Sequence, residues 1–191
     1  MKVIVGDHAM LNEHLARRLR DEVVWAPCQD LTGFTQRQGE LPDAEVFFTG
    51  CRPWGSIAVR DYPADICLSA SAVLLDVIAA CHRMKVKKMV WVASSCMYPA
   101  SDWPLQEGDL VDRLSLDPAS EPAALPRVLA TRLCGFYRKQ YGDNFVTAIP
   151  ATIYGPGDDF SPEGHALPFF MRTFHEAKAK ETTFIKFKGS G

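Results

Sequence analysis

No two of the six cysteines (28, 51, 67, 81, 96 and 134) are spaced as C-x-x-C, and they show no metal-ligand spacing. Buried, reduced thiols are the expectation that follows. The histidines at 8, 14, 82 and 175 have no paired spacing with nearby carboxylates, so no metal is assigned. An excess of one charge is missing too. The formal net charge is −2, which gives no reason to expect nucleic acid as a partner. The one basic run, Lys85-Val86-Lys87-Lys88, reads as a solvated turn before a strand. No apolar run approaches the roughly 20 residues that span a bilayer, so no membrane insertion is expected. The N-terminus enters Val3-Ile4-Val5 with no basic region before it, and a cytoplasmic location is the expectation. There is no internal repeat and no low-complexity linker. The whole of 1–191 is therefore read as one domain, long enough to bury a full core.

What is present alternates between strand and helix patterns. Lys2–Val5, Val23–Trp25, the end of Asp43–Phe48, Lys88–Ala93 and Phe145–Ile149 read as strands. The run at 88–93 is apolar throughout, as a central parallel strand should be. Helices are predicted from Leu11 to Leu19, Ala64 to His82, Pro126 to Tyr141 and Leu167 to Lys180, with a weak one in the polar stretch before Asp43. The helix at 64–82 is so largely apolar that burial between a sheet and another helix is expected. Pro126 is placed in the first turn of its helix, where its missing N–H costs nothing. Tyr98 to Pro122 reads as a loop, Tyr154–Gly157 as a turn and Phe184–Phe187 as a last short strand. The alternation predicts an α/β fold, an open parallel sheet with helices on both faces.

Four segments carry a resemblance. They are Tyr62-Pro63-Ala64-Asp65, Ser94-Ser95-Cys96-Met97-Tyr98-Pro99, Tyr154-Gly155-Pro156 with Asp158 and Phe160, and Phe174-His175-Glu176-Ala177-Lys178. Their order and spacing resemble the extended short-chain dehydrogenase/reductase (NAD-dependent epimerase/dehydratase) family, in its GDP-L-fucose synthase-like branch. The resemblance implies a Rossmann-like, doubly wound parallel sheet. In that family the chain continues past a Gly-Ser-Gly like residues 189–191, so the C-terminal substrate lobe is expected to be largely missing.

The resemblance also assigns roles. The family's glycine-rich turn, which brings backbone against the cofactor pyrophosphate, falls on Gly6, Asp7, His8, Ala9 and Asn12. Ala9 adds a methyl and Asn12 an amide where glycines would stand, and Asp7 adds a negative charge. NADP(H) is the cofactor the resemblance implies, and none is expected to bind tightly. Ser94 falls on the family's catalytic serine. The Tyr-x-x-x-Lys pair of the hydride step falls on Ala123 and Arg127. Alanine supplies no proton, and arginine does not titrate as lysine does. Cys96 and His165 fall on the acid/base pair for epimerisation at C3 and C5 of a 4-keto sugar, and their side chains suit that step. Arg172 falls on a residue that contacts the nucleotide diphosphate, beside Thr173 where a second basic residue would stand.

Three functions are compatible with this pattern: a non-catalytic binding or scaffold subunit (a pseudoenzyme), a cofactor-independent nucleotide-sugar epimerase using Cys96 and His165, and an NADP-dependent reductase in which Tyr98 replaces the lost phenol. The subunit reading implies a protein partner or homo-oligomer. Phe169-Phe170-Met171 with Phe174 forms an apolar helix face that could meet it.

Overall fold

The computed structural model describes residues 1–19, 23–26, 28, 39–50, 56–99, 101–112, 116–162 and 164–186. Five strands form one parallel sheet: β1 (Lys2–Gly6), β2 (Val23–Ala26), β3 (Glu45–Gly50), β4 (Lys88–Val92) and β5 (Phe145–Ala148), in the order β2-β1-β3-β4-β5. Among the described residues six helices accompany it: α1 (Ala9–Leu19), α2 (Ser56–Asp61), α3 (Pro63–Arg83), α4 (Asp109–Asp112), α5 (Glu121–Tyr141) and α6 (Ala166–Ala179). Val3, Ile4 and Val5 are all buried because β1 is central and covered on both faces. The strand order reverses at β1, and its C-terminal ends at β1 and β3 are where an open α/β sheet leaves a crevice for ligands.

The chain divides into two compact units, Met1–Thr152 and Ile153–Gly191. The sheet and its core belong to the first. The second is organised around α6, whose one buried residue is Pro168.

α3 passes the length and composition test for a membrane span, against the expectation that no apolar run comes close. Its packing gives the reason for its apolarity. Ile66, Ala70, Leu74, Val77, Ile78 and Cys81 are buried at three- and four-residue intervals, and the helix lies along α5 with Leu74, Val77 and Ile78 in the main core.

α5 begins five residues before its predicted start. Ser120 is its N-cap residue and accepts from the amides of Ala123 and Ala124, while Pro122, not Pro126, takes the first turn. Pro126 sits inside the helix and is fully buried. The stretch read as one loop, 98–122, contains α4, and α2 was not predicted. Residues 184–186 form no strand, and Phe187 lies outside the described residues, as does most of the segment given a weak helix before Asp43.

Candidate functional site

β1 ends on Gly6, whose φ of +139° is open to glycine and strained for other residues. A Cβ there would overlap the Thr49 hydroxyl and stand 2.6 Å from the Gly50 carbonyl oxygen. The turn is tied to β3 by the Asp7 amide, which donates to the Gly50 carbonyl at 3.0 Å. Gly50 itself has φ +82°, and the Trp91 ring lies 3.3 Å from where its Cβ would be.

The glycine position occupied by Asn12 does not suffer the poor packing expected of it. Asn12 is 2% exposed and Thr49 5%. The Asn12 amide donates to the Gly6 carbonyl at 2.8 Å, and its side-chain oxygen accepts from the Thr49 hydroxyl at 2.6 Å. α1 is thus held against β1 and β3 by a polar bridge where the family packs glycine. Thr49 was missed in the sequence, because its partner lies 37 residues away and nothing local marks the pairing.

The turn therefore keeps the backbone form that suits a pyrophosphate, at the N-terminus of α1. Its side chains are less suited. Asp7 adds a half-buried acidic residue, His8 Nδ1 takes up the Leu11 amide at 3.5 Å, and Ala9 is exposed at the first position of α1. Gly6, His8, Ala9 and Asn12 are brought together, with Asn12 turned inward to the protein.

Ser94 and Cys96 follow β4 directly. The Ala93 amide donates to the Ala148 carbonyl at 2.8 Å, which carries the pairing of β4 with β5 to its end. Ser94 then caps a single 3-10 turn, Ser95–Met97, its hydroxyl accepting from the Cys96 amide at 3.4 Å. Cys96 is half-buried, whereas Cys28, Cys81 and Cys134 are buried. Burial pushes the Cys81 and Cys134 thiols up to about 12. Met97 is fully buried and anchors the turn, with Thr131 of α5 donating to its sulfur at 3.6 Å and accepting from Trp91 Nε1 at 3.4 Å.

On α5, Ala123, Arg127 and Thr131 lie at four-residue intervals and so on one side of the helix. Ala123 is 9% exposed and its methyl packs with Val59 and Ile66. The half-buried Arg127 guanidinium donates back to the Ala123 carbonyl. Ala123 and Arg127, the positions the resemblance sets against the family's Tyr-x-x-x-Lys pair, thus stand one helical turn apart on α5. Tyr98 is a poor replacement, since burial, then Glu107 and Asp109, hold its phenol above the usual range. A phenol that must give up a proton needs the opposite shift.

In the second unit His165 is the N-cap residue of α6 and is exposed; its carbonyl accepts from the Phe169 amide at 3.2 Å. Arg172 is bound along its own helix to Glu176, at 2.7 Å. That pair holds the Glu176 carboxyl below its ordinary range. Phe170, Met171 and Phe174 are exposed, as expected for the apolar face. In the turn at 155–158, one carboxylate oxygen of Asp158 is buried with no hydrogen-bond partner among the described residues. Among the described residues no group of three or more His, Cys, Asp or Glu side chains could hold a metal ion.

Residues 55–191 match the NAD dependent epimerase/dehydratase family. The chain belongs to that family. It is 33% identical to a GDP-L-fucose synthase of Escherichia coli, over 77% of this chain and 46% of the relative. It is 34% identical to GDP-L-fucose synthase 1 of Arabidopsis thaliana, over 98% of this chain and 61% of the relative. The chain thus spans from about half to three-fifths of these relatives' length. Among solved structures, a GDP-D-glycero-L-gluco-heptose synthase of Campylobacter jejuni, crystallised in the presence of NADPH, superposes with a TM-score of 0.79 at 26% identity. That match covers 93% of this chain and 55% of the other. The Rossmann-like sheet and the GDP-L-fucose synthase-like character of this family member are thereby established.

Proposed function

We propose that this epimerase/dehydratase-family chain binds a nucleotide sugar without carrying out hydride transfer, and serves as a binding or scaffold subunit. The observation that carries the reading is the pair Ala123 and Arg127, set one helical turn apart on α5 where the family uses a phenol and an ammonium. A methyl cannot exchange a proton with a sugar oxygen, and a guanidinium stays charged at any working pH. Tyr98 offers no replacement, with its phenol shifted upward.

NADP(H), with whose reduced form the C. jejuni relative was crystallised, would be held by the turn at Gly6–Ala9 and the N-terminus of α1. When bound it would supply hydride. Asp7 places a like charge in that turn, so the affinity expected is weak. GDP-sugars are the ligand class that the relatives' names support. A subunit of this kind acts through a protein partner or a second copy, and the exposed Phe170, Met171 and Phe174 of α6 are the residues offered for that contact.

A second reading keeps one chemical step: epimerisation, with Cys96 and His165 as proton carriers and Ser94 as donor to the enolate oxygen. The reading rests on Cys96 and His165 standing at the positions the resemblance gives to the acid/base pair. Losing the phenol removes one donor to that oxygen, which typically costs about a hundredfold or more.

The test is NADPH absorbance in the presence of a GDP-4-keto-6-deoxy sugar, with solvent deuterium incorporation followed in parallel. The proposed function predicts neither NADPH consumption nor exchange. Exchange alone would establish the epimerase, and NADPH consumption would overturn both readings.

A further inference from the structure

The arginines of this chain differ in how their charge is met. Arg17 pairs with Glu13, Arg60 with Asp61, Arg83 with Asp76 and Arg172 with Glu176. Arg127 is more enclosed than any of these, yet has no carboxylate partner among the described residues. Its one hydrogen bond goes to the Ala123 carbonyl. A guanidinium has five N–H donors in a planar fork, and the Ala123 carbonyl takes up only one side of it.

The topology places this cation. α5 joins the parallel strands β4 and β5, so it runs back against them and its N-terminal end lies at their C-terminal ends. Thr131 marks the level, touching Trp91 in β4 and Met97 in the turn that follows. Arg127 is one turn nearer the helix start on the same side, about 6 Å further toward the ligand end. At that end stands Ser94. Its hydroxyl accepts from the Cys96 amide and has no acceptor for its own proton among the described residues. Ala123, one turn nearer the helix start than Arg127, carries a methyl packed against Val59 and Ile66.

We infer that Arg127 and Ser94 form a binding site for an oxyanion, a carboxylate or phosphate group carried by the ligand, at the C-terminal end of β4. This rests on the reading of the chain as a nucleotide-sugar binder and narrows the ligand to one with an anionic group on or near its sugar. The guanidinium fork would take two oxygens side by side, and the serine O–H a lone pair of one of them.

The experiment is an amide and arginine side-chain NMR titration of the full chain with three probes: glucuronate, inorganic phosphate and neutral glucose. Glucuronate or phosphate should perturb Ser94–Met97 and the Arg127 side chain, and glucose should not. Response to glucuronate alone assigns a sugar carboxylate, and response to phosphate alone a phosphate group. Shifts confined to Gly6–Met10 would place the anion on the glycine turn and overturn the inference. Arg127→Met should weaken the binding at least tenfold. Arg127→Lys keeps charge and solubility but loses the fork, and should fall between. Equal affinity in wild type and Arg127→Met, or no perturbation by either anion, overturns the site. A separate titration with GDP reports on the nucleotide-sugar reading, so that failure of one is distinguishable from failure of the other.

Discussion

The Thr49 hydroxyl donates to the side-chain oxygen of Asn12 at 2.6 Å, and through Asn12 the end of β3 is fastened to the turn after β1. Both residues are buried, so each satisfies a group that water cannot reach. Thr49→Val would strand the Asn12 oxygen and should cost about 1–3 kcal/mol. Urea denaturation measures it. In a double-mutant cycle Thr49→Val and Asn12→Ala should be non-additive, and strict additivity would show that the bridge carries no energy.

Gly6 is the second fixed point of that turn. Gly6→Ala would put a methyl onto the Thr49 hydroxyl at a backbone angle that disfavours it. A loss of at least about 1–3 kcal/mol is expected from the backbone conformation alone. Asn12 and Thr49 lie directly beneath, so the same variant should also lose whatever dinucleotide binding the wild type has.

The buried thiols give a pH dependence. Burial raises the Cys81 and Cys134 thiols from the ordinary 9.0 to about 12 in the folded chain. Above pH 9 the unfolded chain therefore releases protons that the folded chain retains. The contribution of these thiols to stability is full below about 9 and is lost as pH climbs toward 12. Cys81→Ala should flatten the alkaline side of the stability profile, whatever it does to absolute stability at neutral pH. Under native conditions a thiol reagent should modify Cys96 well before Cys81 or Cys134.

Far from the candidate site, His82 Nδ1 lies 2.7 Å from the Asp143 carboxylate, with the Tyr137 and Tyr141 rings 4.9 and 4.4 Å from the imidazole. This group joins the end of α3 to the entry of β5. Asp143→Ala should lower stability by about 1 kcal/mol or more, read by urea denaturation, with ligand binding unchanged.

Much of the fold was legible because its signals are local. The apolar runs at β1 and β4 and the apolar spacing of α3 identify their elements without help from distant residues. The start of α5 was misread because two prolines compete for its first turn. Pro122 holds that position, and Pro126 is tolerated inside because the helix buries it. α2 is six residues long and too short for a periodicity. At the site, the neighbourhood of Ser94 and Cys96 was legible from the motif. The accommodation of Asn12 was not, since Thr49 arrives through the sheet. Nor did the sequence alone disclose that Arg172 is engaged by Glu176, or that Arg127 lacks a carboxylate.

The most direct test of the account is a calorimetric titration of the full chain with NADPH and, separately, with GDP-mannose. The account predicts heat with GDP-mannose and only weak or undetectable binding of NADPH. Tight NADPH binding followed by oxidation of the cofactor in the presence of a keto-sugar nucleotide would contradict it, and would return Ala123 and Arg127 to the company of a working reductase.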